Sequence, residues 1–322
     1  MFDLITIGDA TFDTFVIIDD NCKQCRVDVK RNQLCINYAD KVCVKHIDQS
    51  VGGNAANVAA GVQKLGLQTA IVTELGDDIN GFAIAHDLEK AGVNCDNMVM
   101  HKKKETRFSI VLNYRAERTI LSYHADRKYT FKALPKTDWV YYTSMGSSFA
   151  GYQKKLMSYL KKHPSIKLAA NPGSFQMNAG LKTFKAILPH VSLLFVNKEE
   201  LKILAGGKKT FKAQIKSLQA LGIETIVVTD SMRGAYAASA TTRLHMPAYP
   251  IAATAKTGAG DAFASGFLSQ YIKGKELSYC MQAGTANASG VIEKIGAHKG
   301  LLTARTLSKR IKTYANIKPT KF

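Results

Sequence analysis

No apolar run in the 322-residue chain reaches the ~18 residues of a helical membrane span, so no membrane partner is expected. The opening Met1-Phe2-Asp3-Leu4-Ile5-Thr6-Ile7-Gly8 lacks a basic leader and reads as a strand ending in a turn. Nothing in it directs export, which makes the cytoplasm the expected compartment. Acidic residues are scarce, 25 against 44 Lys and Arg, and the net charge of +19 invites a nucleic-acid reading. The lysines, however, fall in scattered pairs such as Lys154-Lys155, Lys161-Lys162 and Lys208-Lys209, with no basic-aromatic ladder and no arginine-rich tail. A basic exterior that draws in polyanionic small molecules is the expectation, without a nucleic-acid partner. Two nucleotide fingerprints are also missing. Gly207-Lys208 runs into Lys209 rather than Ser or Thr, and Phe263 stands where a dinucleotide motif after Gly258-Ala259-Gly260 needs a third glycine. The eight histidines show no metal-ligand spacing, and the chain has neither an internal repeat nor a low-complexity segment.

Only one Trp is present, yet 46% of residues are hydrophobic, enough for a full core without disulfide staples. The six cysteines are uneven: Cys22, Cys25, Cys35 and Cys43 share one short segment, while Cys95 and Cys280 are isolated. Cys22-x2-Cys25 has the spacing of half a zinc site, but Cys35 and Cys43 lie too far apart for a zinc ribbon. Reduced thiols packed as small apolar groups are the expectation.

What the chain does contain alternates strand and helix. Strand-like runs at 2–8, 14–18, 68–74, 167–170, 193–196 and 225–229 are separated by helical stretches such as 55–65 and 82–91. This pattern predicts an α/β fold with a mostly parallel central sheet covered on both faces, and ligands at the carboxyl ends of its strands. Asp13, Asn171, Asn197 and Thr229 lie at or just past such ends. The patches 20–50 and 108–123, the second turning at Arg115-Ala116-Glu117-Arg118, read as one small sheet standing off the body. The basic tail, 309–322, is expected to pack loosely.

Chemistry concentrates in Thr257-Gly258-Ala259-Gly260-Asp261, which opens an apolar helix. A glycine-rich helix start leaves backbone N–H groups bare at the positive end of the dipole, an anion site. An acid in such a turn repels its ligand unless it has another task, such as accepting a proton from an attacking hydroxyl. The blander reading is a glycine-rich turn with Asp261 as a dipole partner. In Gly52-Gly53-Asn54-Ala55-Ala56-Asn57, two asparagines three apart share a helix face and suit a polyhydroxylated ligand, although Asn54 also reads as an N-cap. Asn197-Lys198-Glu199-Glu200 offers two oxygen ligands for a hydrated magnesium, or an N-cap with an acidic first turn. The polar turn Thr229–Gly234 carries no local functional mark.

Together these pieces resemble, in order and over nearly the whole length, the ribokinase-like family of carbohydrate and nucleoside kinases, also called the phosphofructokinase-B (PfkB) family. Gly8-x4-Asp13 is similar to its first substrate turn, Gly52–Asn57 to its N-terminal signature, and Gly76-Asp77-Asp78-x2-Gly81 to a further landmark. Asn197-x2-Glu200 is similar to its magnesium-associated motif and Thr257–Asp261 to its C-terminal signature. The resemblance implies Asp261 as catalytic base and the amides of Gly258, Ala259 and Gly260 as anion hole. It implies Asp13, Gly53, Asn54 and Asn57 on the acceptor's hydroxyls, and Asn197 and Glu200 around magnesium through water rather than as direct metal ligands. Thr229 and the segment 286–296, including Asn287, would border the nucleotide. Three departures stand out. Ala255 and Lys256 replace an acid and a small residue ahead of the C-terminal signature, which leaves activation by a monovalent cation open. Ser231 stands where the nucleotide turn often has glycine. The cysteine-bearing segment is not typical of the family.

The expectation is one ribokinase-like three-layer domain over residues 1–322, with 20–50 and 108–123 as a β-lid. It would be an ATP- and Mg²⁺-dependent kinase acting on a hydroxyl of a small sugar. A nucleoside acceptor is the alternative, with Phe12, Phe108 and Tyr123 as a cage for its base. A non-catalytic sugar- or nucleotide-sensing module is the alternative of another class. Pairing of two copies through the lid is an arrangement the resemblance allows.

Overall fold

The computed structural model describes residues 1–115, 117–178, 180–207 and 210–322; Ala116 of the turn and the Lys208-Lys209 pair lie outside the described residues. Nine strands form the main sheet in the order Thr320–Lys321, Arg243–Met246, Ala235–Ala238, Thr225–Thr229, Leu193–Asn197, Lys167–Ala170, Thr137–Tyr142, Phe2–Ile7, Thr69–Val72. The last six run parallel, and the first three continue the sheet antiparallel. Strand periodicity splits each apolar run between two cores. Ile5, Ile7, Val140 and Tyr142 pack on one face with the helix Phe149–Lys162. Leu4, Trp139 and Tyr141 pack on the other with the helices Asn54–Lys64, Ala259–Ile272 and Leu277–Ile292. Three layers result. Strands buried on both faces need continuous apolar sequence, and that is why they were readable as short Val/Ile/Leu runs.

A second sheet orders Glu117–Tyr123, Phe108–Tyr114, Thr11–Ile18 and Val44–Gly52. Its central strand corrects the sequence reading, which made residues 9–13 a turn. Thr11, Phe12 and Asp13 are paired within the strand, with Asp13 opposite Ser50 on one side and Ser109 on the other. Residues 20–50 also differ from expectation, because only their last part joins this sheet. Asp19 breaks the strand by accepting the Asn21 amide (2.9 Å), and Cys25–Asp28 and Gln33–Ile36 form a separate ribbon. The tail is likewise ordered. Thr303 and Thr306 form a capping box for the helix Ala304–Thr313, and Phe322 packs on Phe211 and Tyr236.

Cys22 and Cys25 are buried with Ile18 and Tyr114, Cys35 is half-buried and Cys43 exposed. Among the described residues no group of three or more His, Cys, Asp or Glu side chains is arranged to hold a metal. Metal analysis of protein purified without chelator is expected to find less than stoichiometric zinc. Near-stoichiometric zinc lost in a Cys22→Ser/Cys25→Ser variant would contradict this.

Candidate active site

The carboxyl end of the main sheet faces the small sheet across a cleft. Two cavities lie there, of about 470 Å³ and about 290 Å³. They meet at the first turn of the helix Ala259–Ile272. Thr257, Gly258 and Asp261 line the larger cavity, and Ala259 and Gly260 the smaller. Gly258 caps this helix with a left-handed φ of 79°, and a Cβ there would lie 2.6 Å from Ala297 Cβ. No side chain caps the turn, and first-turn amides have no intrahelical acceptor, so the positive end of the helix lies where the two cavities meet.

Asp261 sits in that first turn. Asn57 Nδ2 donates to its Oδ2 at 2.8 Å. Burial pushes its carboxyl up to about 7; the Asn57 hydrogen bond opposes the rise, and the charges of Asp13 and Glu200 add to it. A carboxyl raised this far is suited to exchanging a proton near neutral pH.

The Gly52-Gly53 pair is explained by close approach. A Cβ on Gly52 would lie 2.1 Å from Asp13 Oδ2, and one on Gly53 2.5 Å from the Asp9 carbonyl oxygen. Gly53, at φ 90°, is also the N-cap of the helix Asn54–Lys64, so Asn54 begins the helix and is not its cap. Free of capping, Asn54 donates to Asn171 Oδ1 (3.4 Å), while Asn171 donates to the Phe195 carbonyl (2.8 Å). Asn57 is buried, and its Oδ1 has no partner among the described residues. Asp13 reaches the larger cavity from the small sheet, its carboxyl raised by burial against the opposing hydrogen bonds of Thr11 and Ser109. Sequence reasoning thus found Asp13, Gly53, Asn54, Asn57, Gly258 and Asp261 in one place, although Asp13 comes from a strand and not a turn.

Asn197 and Glu200 form a reciprocal capping box, each side chain accepting the other's backbone N–H at 2.8 Å. Glu200 lines the larger cavity and burial raises its carboxyl, whereas Asn197 is exposed and lines neither cavity. Thr229, Thr285, Ala288 and Ser289 line the smaller cavity. Asn287 does not. It is fully buried, donating to the Ala262 carbonyl (2.9 Å) and Ser265 Oγ (3.1 Å) and accepting the Leu302 amide (2.9 Å). These bonds join its helix to the helix Ala259–Ile272 and to the backbone at Leu302. Ser231, also at the smaller cavity, adopts a left-handed φ of 51°, the conformation that makes glycine natural there.

The sequence reading missed Asp9, Ser109, Ser122, His124 and Ser144, which also line the larger cavity. Asp9 had a usable signal, an acid directly after a strand and Gly8. The others come from the small sheet and connecting loops, where no spacing marks them.

The model of the pfkB family of carbohydrate kinases matches residues 16–304, and the chain belongs to this family. It is similar to an uncharacterized sugar kinase of Archaeoglobus fulgidus, 25% identical over 251 residues that cover 75% of this chain and 98% of that one. The fold is ribokinase-like. It matches the Methanocaldococcus jannaschii nucleoside kinase, an archaeal member of the ribokinase family, with a TM-score of 0.78 at 20% identity over 97% and 98% of the two chains. It matches Arabidopsis thaliana ribokinase complexed with ribose and ATP with a TM-score of 0.78 at 21% identity over 97% and 99%. The chain is thus a sugar or nucleoside kinase in the broad sense. Among the described residues, no helix is long and apolar enough to cross a membrane.

Gly53→Ala is expected to destabilise the fold by about 1–3 kcal/mol, since it combines a left-handed φ with a backbone clash. Equilibrium denaturation checks this, and an unchanged midpoint would show that the Asp9 loop yields without cost.

Proposed function

We propose that the protein transfers the γ-phosphoryl group of ATP to a hydroxyl of a small sugar. The observation that carries this reading is the shared helix start, with Asp261 facing one cavity and Ala259 and Gly260 facing the other. The nucleotide occupies the smaller cavity, with Thr229 and Ser289 at its border. The acceptor occupies the larger one, its hydroxyls held by Asp13, Asn54, Asn57 and the Gly53 backbone. As the acceptor oxygen bonds to the γ-phosphorus, its proton passes to Asp261. The bond from that phosphorus to the leaving ADP oxygen breaks in line, and the bare amides of the helix start stabilise the charge.

Magnesium, when bound, neutralises phosphate charge. Glu200 fits an outer position around it: one carboxylate oxygen is occupied by the Asn197 amide, and the residue lines the cavity. Asn197, spent on the cap and exposed, contributes by fixing Glu200. The small sheet serves as the lid, tied to the body by Lys256 to Glu117 (2.7 Å) and Lys299 to Asp48 (2.7 Å). Its exposed Val44, Ile47, Leu121 and Tyr123 favour a second copy as cover.

A nucleoside acceptor is the second reading. His124 and Phe175 meet edge to face at 5.1 Å on the wall of the larger cavity, a surface on which a base can rest.

Asp261→Asn is expected to cut turnover about 10²–10⁴-fold while sparing ATP binding. It should also raise the thermal midpoint at pH 8. The folded-state pKa lies above the unfolded one, so the stability Asp261 lends at low pH is lost as pH rises through about 7, and an amide avoids that loss. Activity within a few-fold of the parent would remove Asp261 as base. Asn57→Ala should raise KM for the acceptor, leave KM for ATP nearly unchanged, and move the acid limb of the rate profile to higher pH, because the Asn57 amide holds the Asp261 pKa down. Unaltered kinetics with lowered thermal stability would assign Asn57 a packing role only.

A further inference from the structure

The larger cavity does not end at His124 and Phe175. Both residues also line a side cavity of about 120 Å³, walled by Arg107, Arg127, Tyr129 and Gly146. The two arginines are 3% and 6% exposed. A guanidinium stays charged wherever it is buried, so its donors and its charge both need answering.

The protein answers them in part. Arg107 pairs through Nη1 with Asp9 and donates from Nη2 to the Tyr129 hydroxyl. Gly146 makes room, since a Cβ there would lie 2.3 Å from Arg107 Nη2. Arg127 donates from Nη1 and Nη2 to the carbonyls of Glu74 and Glu105. The Glu74 carboxylate itself is engaged by His101 (2.9 Å) and the Thr130 amide (3.0 Å). Nε of both arginines has no hydrogen-bond partner among the described residues. Asp126, the one acid lining the side cavity, is exposed. A purely structural pin accounts for the Nη contacts of Arg127 and leaves both Nε–H groups unexplained.

We infer that the acceptor is a sugar acid, whose carboxylate seats in the side cavity against Arg107 and Arg127 while a hydroxyl at its other end reaches Asp261. This rests on the larger cavity being the acceptor site. Arg107 is paired with Asp9, whereas Arg127 has no carboxylate within ion-pair distance among the described residues, so the wall of the side cavity carries a positive charge that a planar monoanion would answer. Charge also orients the ligand. Asp13, Glu200 and Asp261 line the larger cavity and repel an anion placed among them, while Asp9, which also lines it, is paired with Arg107, so the carboxylate is driven toward Arg127.

Calorimetry on the full chain without nucleotide tests this with D-gluconate against D-glucose, D-ribonate against D-ribose, and ribose 5-phosphate. The acids should bind about tenfold or more tightly than their neutral partners, the scale of one charge-assisted hydrogen bond. That margin should vanish in Arg127→Gln. Because Arg127 also ties two carbonyls, the parent's own preference decides the matter if the variant fails to fold. Equal binding, tighter binding of the neutral sugars, no binding of any, or tighter binding of ribose 5-phosphate than of ribonate would overturn the inference. Tight, Arg127-dependent binding of acids with no ATP turnover would uphold the carboxylate site and remove the phosphoryl-transfer reading instead. Turnover of neutral sugars with no preference for acids would do the reverse.

Discussion

A carboxylate in the first turn of a helix whose backbone attracts anions is the constraint around which this molecule is arranged. Asp261 would be stabilised as an anion by the helix dipole alone. Burial and the charges of Asp13 and Glu200 push the other way, and the balance leaves it near neutrality, with Asn57 restraining the rise. That balance requires the neighbours to be fixed. Asn57 is set by the helix that Gly53 opens, Asp13 by a strand of the small sheet, and Glu200 by its capping box with Asn197.

The scaffold explains why these side chains meet. In a parallel sheet every strand delivers its following loop to the same edge, so residues far apart in sequence converge there. Asn171 links that edge to the helix Asn54–Lys64 through Asn54 and the Phe195 carbonyl. The small sheet closes the opposite wall. Its alternation places Thr11 and Asp13 on one strand, and Ser122 on another, at the cavity. The charge pattern follows the same geometry, with acids around Asp261 and arginines at the far end behind His124 and Phe175.

Much of this was legible in the sequence because the signals are local. Short apolar runs gave the parallel strands, and Gly-Gly-Asn and Gly-Ala-Gly-Asp gave the two helix starts with their spacing. What stayed hidden depends on contacts distant in sequence. Asn287 reads like a polar residue beside a ligand until its three hydrogen bonds inside the helical layer are seen. Arg107 lies just before the strand Phe108–Tyr114, with no neighbour in sequence to reveal Asp9. Residues 20–50 read as part of one small sheet, yet one Asx turn at Asp19 separates a ribbon from that sheet. Phe322 looked like a frayed end and proved to be anchored by aromatic packing on Phe211 and Tyr236.

The account rests on Asp261 changing charge near neutral pH. Carbon-13 NMR of protein labelled at the aspartate carboxyls, with Asp261 assigned by its absence from an Asp261→Asn spectrum, measures this directly. The account predicts a titration midpoint of about 7 for that resonance. A midpoint near the ordinary aspartate value of about 4 would show a permanently ionised carboxylate, and would contradict the proposed balance at the helix start.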